Sequence, residues 1–310
     1  MELIRGLHNL RARHRGCVAT IGAFDGVHCG HQAVIGEMIA RAQSLGVPST
    51  LIVFEPLPRE YFAPMEAPPR LMSFREKVPV LRELGIDRLL RIRFDKRFAA
   101  VRATDFIRDA LIEGLGVRHL VVGDDVHFGY GREGNIELLR EWGARHGFTV
   151  DSTSTIALQG ERVSSTRLRA LLREGDFEAA ERLLGRPYSM AGKVVVGKRL
   201  GATIGVPTAN LELRRLRAPL AGVYAVEVRG LDAPVLHGVA NVGTRPTVDD
   251  GTKANLEVHI LDFGQNIYRR TIDVVFRKRI REERRFGSLD ELTSRIAIDI
   301  REAREFFGIG

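Results

Sequence analysis

The sequence predicts an α/β domain with a doubly wound, mainly parallel, Rossmann-like sheet over residues 1–185. Over residues 186–310 it predicts an antiparallel β-barrel that ends in a helix. Three observations lead there. In the first part, apolar strand-like runs alternate with helix-length stretches, the pattern of βαβ units. After Arg186-Pro187-Tyr188 the pattern changes to short alternating strands divided by Gly, Pro and Asp turns. The last segment, SLDELTSRIAIDIREAREFFG (288–308), has an amphipathic helical period, a capping Ser288 and acidic residues in its first turn.

Each element follows in order. CVATIGAF (17–24) reads as a strand and HQAVIGEMIARAQSLG (31–46) as a helix closed by Gly46. STLIVFEP (49–56) is a strand stopped by proline, followed by a helix around SFREKVPVLRELG (73–85) and the strand DRLLRIRF (87–94). A helix near ATDFIRDALIEGLG (103–116), the strand HLVVGD (119–124), the helix NIELLREWGARHG (135–147) and the extended FTVDSTSTI (148–156) complete the alternation. SSTRLRALLREGDFEAAERLLG (164–185) divides at Gly175 into two short helices, with Ser164 or Ser165 as the first cap. The barrel strands are AGKVVVGK, AGVYAVEV, VLHGVANV, NLEVHIL and TIDVVFRK.

The 310 residues are 44% hydrophobic and 28% charged, a globular balance that excludes disordered and fibrous classes. No apolar run has the length of a membrane span, and the basic start MELIRGLHNLRARHRG lacks the apolar centre of a secretory signal. Two cysteines, Cys17 and Cys29, make no disulfide framework, so the reducing cytoplasm is the expected compartment. The net charge of +8 is uneven. Residues 1–185 hold 26 Lys+Arg against 24 Asp+Glu (+2), and residues 186–310 hold 21 against 15 (+6). The second part therefore attracts phosphates, nucleotides or nucleic acid.

The stretch ATIGAFDGVHCGH (19–31) turns from strand to helix through small residues. Gly22, Phe24, Asp25, Gly26 and Gly30 form a turn that lets backbone approach a ligand, and the next helix offers unpaired N–H groups to an anion. His28 and His31, three apart, face the same phosphate and stabilise developing charge. With no further spaced Cys or His ligands, a metal site is disfavoured there. VSSTRLR (163–169) sets hydroxyls at a helix start with Arg167 and Arg169 just inside, a second anion site or simply a capped surface helix. VVGDDVHFGYGREG (121–134) is a strand followed by an acidic, glycine-rich loop.

In the second part, Gly197, Gly201 and Gly205 stand four apart before Pro207-Thr208-Ala209-Asn210. This is no Walker A loop, yet it can wrap a polyphosphate, and the Thr208 hydroxyl and Asn210 amide are neutral oxygens suited to Mg²⁺ held mainly by nucleotide phosphates. In NLEVHIL (255–261) Leu256, Val258 and Ile260 share one strand face while Glu257 and His259 share the other. A carboxylate on that second face takes the proton of an attacking hydroxyl, or is merely solvated. ANVGTRPT (240–247) adds Arg245 as a phosphate partner.

GAFDGVHCGH with VSSTRLR resembles the nucleotidyltransferase superfamily. FEPLPRE, VVGDDVHFG and VSSTRLR more narrowly resemble the adenylyltransferase part of bacterial bifunctional riboflavin kinase/FMN adenylyltransferases, or FAD synthetases. GVPTANL, GVYAV, NVGTRPT and LEVHILDF resemble the riboflavin kinase part of the same family, and the likeness spans roughly residues 17–308. It implies that His28 and His31 contact ATP phosphates, that Ser164, Thr166 and Arg167 clamp the triphosphate, and that Asp124 and Asp125 lie in the flavin-nucleotide region. It implies Mg²⁺ at Thr208 and Asn210 and Glu257 as the base on the ribityl 5′-hydroxyl. The family usually reads F-x-P-H-P where this chain has Phe54-Glu55-Pro56-Leu57-Pro58, so an imidazole is missing at Leu57. The implied ligands are riboflavin, FMN, FAD and ATP/ADP, with no nucleic acid and no membrane; a homo-oligomer is left open. Against a nucleic-acid binder, the second part has no series of aromatics alternating with Lys or Arg.

Overall fold

Every residue of β2 (Cys17–Ile21) is buried, as an apolar run in the middle of a parallel sheet requires. The computed structural model describes residues 1–153, 157–158, 161–197, 201, 205–232, 234–246 and 252–309. They group into two units. One holds Met1–Pro68 with Lys77–Ser164, the other Pro69–Glu76 with Ser165–Gly310.

The first unit is built on a parallel sheet of β1 (Glu2–Arg5), β2, β3 (Ser49–Glu55), β4 (Arg88–Arg93), β5 (Val117–Gly123) and β6 (Thr149–Thr153). Its order is β1-β4-β3-β2-β5-β6. The chain leaves β2 toward β3 on one side, and β5 lies on the other, so the strand order reverses at β2. A crevice at the carboxyl ends of β2 and β5 is where such a sheet receives ligands. Helix α1 (Cys29–Ser44) follows β2 and buries Ile35, Met38 and Ala42, one stripe at helical spacing. The remaining helices are α2 (Pro58–Phe62), α3 (Phe74–Glu83), α4 (Lys96–Ala99), α5 (Ala103–Phe106) and α6 (Ile136–His146), the last capped by Asn135 and ended by left-handed Gly147. A short antiparallel pair, β7 (Ala157–Leu158) and β8 (Glu161–Arg162), precedes the second unit.

The second unit opens with α7 (Ser165–Glu174) and α8 (Phe177–Leu184) and closes with α9 (Leu289–Phe307). Between them β9 (Ser189–Val195), β10 (Ala209–Glu212), β11 (Gly222–Arg229), β12 (Leu236–Pro246), β13 (Thr252–Ile260) and β14 (Thr271–Arg281) form a closed antiparallel barrel in the order β10-β13-β12-β11-β14-β9. The inward face of β13 is Leu256, Val258 and Ile260, all buried, as the period-two reading expects. Ser288 caps α9 by accepting the Glu291 amide at 3.2 Å. Asp299 of α9 is buried and paired with Arg281 of β14 at 2.8 Å, which fastens the helix to the barrel.

The structure departs from the sequence reading at three places. β1 is a four-residue edge strand with only Ile4 buried, too short to show alternation. β10 is equally short and is held by partners on both sides. The helix expected over 103–116 is α-helical for one turn and then continues over Ile107–Gly114 with wider π-type bonds, such as Leu115 N to Ala110 O at 3.0 Å. By packing, α7 and α8 group with the barrel. Phe177 of α8 lies 5.7 Å from the Tyr224 ring and stacks on Phe276 at 6.2 Å, so these helices cover the barrel. Residues 69–76 join the same unit through a buried ion pair: Arg215 Nη2 donates to both carboxylate oxygens of Glu76 at 2.5 Å.

Removing one member of such a pair leaves a buried charge without its counter-ion. Arg215→Met is therefore expected to destabilise the second unit by about 3–5 kcal/mol. Urea titration checks this as a lower midpoint at unchanged slope.

Candidate active sites

In the first unit the residues after β2 cross into left-handed space three times within four positions. Phe24 and Val27 have φ of 45° and Gly26 has φ of 87°. For non-glycine residues such conformations cost about 1–3 kcal/mol and persist only where neighbours enforce them. Here the enforcing groups are visible. Lys77, 2% exposed, donates from Nζ to the Ala23 carbonyl at 2.6 Å. Gln32 Nε2 donates to the Val27 carbonyl at 2.9 Å. His28 caps α1, its Nδ1 accepting the His31 amide at 3.3 Å.

That bond assigns the tautomer of neutral His28: Nδ1 accepts, so Nε2 carries the proton and is a donor. The His28 and His31 rings stack with centroids 3.6 Å apart and planes 14° apart. Burial pushes the His31 imidazole well below its ordinary pKa, and His28, whenever it is protonated, and the Lys77 ammonium push it further down. Its Nδ1 is buried and accepts or donates no hydrogen bond among the described residues. Asp25 is buried within the same turn. The sheet crevice thus presents the first amides of α1, an Nε2–H donor and a neutral imidazole, a set suited to an anion.

Of the second motif, Ser164 ends the first unit while Thr166 and Arg167 lie in α7 of the second. Arg169 does other work, donating from Nε to the Pro69 carbonyl at 2.6 Å within the second unit. Asp124 and Asp125 are exposed at the start of the loop after β5, and His127 bonds back to the Asp125 carbonyl at 2.9 Å.

In the barrel, Glu257 of β13 stands directly opposite Asn210 of β10 on one side and Asn241 of β12 on the other. Opposed residues of neighbouring strands share a face, so the three form a row across the barrel wall. Asn255 Nδ2 donates to Glu257 Oε1 at 2.9 Å and orients the carboxylate. The row borders a cavity of about 320 Å³ whose lining includes Glu257, Asn241, Val223, Leu292 and Ile296. A second cavity of about 300 Å³ is lined by Pro207, Ile260, Asn266 and Tyr268. Thr208 lines both. His259 keeps it there: its Nδ1 bonds the Pro207 carbonyl at 2.8 Å and, facing a carbonyl, must be the donor.

The glycine loop meets these residues closely. A Cβ on Gly197 would overlap the Asn210 amide, and one on Gly201 would overlap the Val206 carbonyl and lie 3.3 Å from Thr208 Oγ1. Space beside the Asn210 and Thr208 oxygens exists because both positions lack a side chain. Gly205 has φ of 76°. Residues 198–200 and 202–204 between these glycines lie outside the described residues, as does the side chain of Arg245, whose backbone pairs with Lys253.

Residues 10–167 match the family model described as FAD synthetase, and residues 184–307 match that described as riboflavin kinase. A bifunctional riboflavin kinase/FMN adenylyltransferase of Pseudomonas fluorescens is 51% identical over 304 residues, covering 98% of this chain and 97% of that one. The chain belongs to the bifunctional riboflavin kinase/FMN adenylyltransferase family. A relative with the same description from Escherichia coli K12 is also 51% identical, over 310 residues that cover 100% of this chain and 99% of the other. A solved structure described as a macrolide-efflux protein from Streptococcus pneumoniae matches with a TM-score of 0.79 at 30% identity, covering 98% of this chain and 99% of that one. No helix among the described residues of this family member is long and apolar enough to cross a membrane.

One feature of the family member escaped the sequence reading. Phe54, Phe94, Phe98, Phe106 and Phe128, spread over 75 positions, come together at the sheet's carboxyl edge with successive ring centroids 5.6–6.1 Å apart. With Phe62, which is 67% exposed, they line a cavity of about 500 Å³ in the first unit. Isolated phenylalanines in five separate stretches of the chain give no local signal. Leu57, where the family usually has histidine, precedes α2, and its amide donates to Glu60 Oε2 at 3.1 Å.

The neutral state of His31 has a measurable consequence. Its folded pKa lies below that of an unfolded histidine, about 6.5, so the unfolded chain binds the extra proton and stability falls as pH drops below that value. His119, buried and also shifted down by burial, adds with the same sign. His31→Asn is expected to reduce this acid slope by up to about 1.4 kcal/mol per pH unit, read from urea midpoints between about pH 7.5 and 5.

Proposed function

We propose that the barrel unit transfers the γ-phosphoryl group of ATP to riboflavin, giving FMN and ADP, and that the sheet unit joins FMN to the adenylyl group of a second ATP, giving FAD and pyrophosphate. The observation that carries this reading is that residues 10–167 match the FAD synthetase family model and residues 184–307 the riboflavin kinase model, with candidate site residues in both parts.

In the barrel, Glu257 accepts the proton of the ribityl 5′-hydroxyl as that oxygen attacks the γ-phosphorus and the bond to the bridging oxygen of ADP breaks. The flavin rings lie on the apolar lining of Val223, Leu292 and Ile296. The nucleotide takes the neighbouring cavity beside Tyr268, so the reacting groups meet at Thr208, which borders both. Thr208 Oγ1 and Asn210 Oδ1, in the space left by Gly197 and Gly201, would hold Mg²⁺. When bound, it neutralises phosphate charge.

In the sheet unit the nucleophile is the FMN phosphate, already ionised near neutral pH, so no strong base is required. It attacks the α-phosphorus, and pyrophosphate leaves. His28 Nε2–H, the neutral His31 and the first amides of α1 receive the charge that develops. The aromatic cavity stacks the isoalloxazine ring of FMN, near the loop that starts with Asp124 and Asp125. On the likeness of VSSTRLR, Ser164, Thr166 and Arg167 bind polyphosphate, and Gly22, Gly30, Gly205 and Arg245 are phosphate contacts. The compartment is the cytoplasm, in keeping with two free cysteines, Cys17 and Cys29.

Incubation with riboflavin and Mg-ATP, followed by chromatography, is expected to yield both FMN and FAD. FMN alone would reduce the proposal to a kinase, and neither product would end it. Glu257→Gln is expected to lower FMN formation about 10²–10⁴-fold while FMN-to-FAD conversion persists. His31→Ala is expected to do the reverse, lowering FAD formation about 10²–10³-fold. Loss of both steps from either change in a folded protein would refute one site per unit.

A further inference from the structure

The side-chain amide of Asn241 lacks a complete role in the fold. It stands on β12 directly opposite Glu257, and both side chains line the same barrel cavity. Its Oδ1 is buried, and no described group donates a hydrogen bond to it. A buried carbonyl oxygen left alone costs about 1–3 kcal/mol, and folded chains leave few of them. A donor belonging to a ligand in the cavity resolves the deficit.

The strand register indicates which donor. Glu257 has Asn210 on its other side, next to Gly197 and one residue beyond the Thr208-Ala209 pair. That is the phosphate side of the row. Asn241 lies on the opposite side of Glu257, one inter-strand spacing away, about 4.8 Å. A polyol whose terminal oxygen meets Glu257 and points to the phosphate runs its remaining hydroxyls back past Asn241.

Resting on the kinase reading, we infer that Asn241 Oδ1 accepts a hydrogen bond from the ribityl hydroxyl adjacent to the one phosphorylated. It thereby sets the attacking oxygen against Glu257 and selects flavins that carry a polyol chain. Val223, Leu292 and Ile296, in the apolar part of the lining, have no donor or acceptor with which to make that selection.

The test compares riboflavin with 4′-deoxyriboflavin, using the full-length protein and Mg-ATP. The wild-type protein is expected to prefer riboflavin by about 10–100-fold in kcat/KM for phosphorylation. Asn241→Ala is expected to lower kcat/KM for riboflavin by about the same factor, leave the rate on the deoxy analogue unchanged and so abolish the preference. The ratio of the two kcat/KM values does not depend on how much of the sample is folded. Asn241→Leu gives the same comparison with an apolar residue of similar volume, and conversion of supplied FMN to FAD stays at the wild-type rate in both variants. A wild-type preference near unity, or a preference that survives in the variants, overturns the role of Asn241 while the kinase stands. Failure of the wild-type protein to phosphorylate riboflavin overturns the kinase reading and this inference with it.

Discussion

A single buried guanidinium organises the barrel unit. Arg215 has a side chain only 1% exposed, in a place where an uncompensated charge costs several kcal/mol. Its donors are distributed with little waste. Nη2 takes both oxygens of Glu76, while Nη1 reaches the Arg70 and Leu71 carbonyls and the Tyr188 hydroxyl at 3.2 Å. Glu76 in turn accepts the amides of Ser73 and Ala191. One ion pair thus fixes the segment 69–76 and the early part of β9. That strand closes the barrel by pairing with both β10 and β14, so its position determines whether the wall that carries Glu257 is complete. The Arg169 bond to Pro69 secures the other end of the same segment.

The next residue in the chain does comparable work in the other unit. Lys77 is buried with its ammonium on the Ala23 carbonyl, beneath a turn that contains two non-glycine residues in left-handed conformation. A bond to the carbonyl before those residues offsets their strain without filling the space above them. The same ammonium disfavours a proton on His31. Lys77 thus contributes to both the geometry and the protonation state of the turn, although burial is the larger cause of the neutral His31. The two histidines accordingly differ: His28 is oriented by the helix amide it accepts, whereas His31 is kept neutral by its surroundings.

Much of this was legible in the sequence because the informative signals are local. The strand-to-helix turn shows in the glycines around His28, and the outward face of Glu257 shows in the alternation of NLEVHIL. Period-two and helical patterns located β2 to β6, five barrel strands and α9 to within a few residues. β1 and β10 were invisible because four residues carry no period, and their existence depends on partners far along the chain. The aromatic cavity was hidden for the same reason: its rings come from positions 54 to 128 and meet only when the sheet forms. Arg169 looked like an anion ligand because a helix start followed by arginines has the same sequence whether the guanidinium faces a phosphate or a carbonyl of its own chain. The row Asn210–Glu257–Asn241 is a matter of register, which no single strand specifies.

The contrast between the two sites follows from the protonation state of the nucleophile that each would activate. A ribityl hydroxyl holds its proton firmly at neutral pH and needs an acceptor at the moment of attack, so the barrel site is organised around a carboxylate with one oxygen already oriented by Asn255. A phosphate monoester needs no such acceptor, and a carboxylate facing it would repel both nucleophile and leaving group. The candidate groups at the turn after β2 suit that requirement: they are the first amides of α1 and the His28 and His31 imidazoles, while Asp25 is buried within the turn and Asp124 and Asp125 are exposed on the loop after β5. Interchanging the two sets would disable both reactions. The barrel would have donors where a proton must be removed, and the sheet would have a negative charge where one must be received. Two sites of opposite character in one chain are therefore what sequential phosphorylation and adenylylation of one flavin demand.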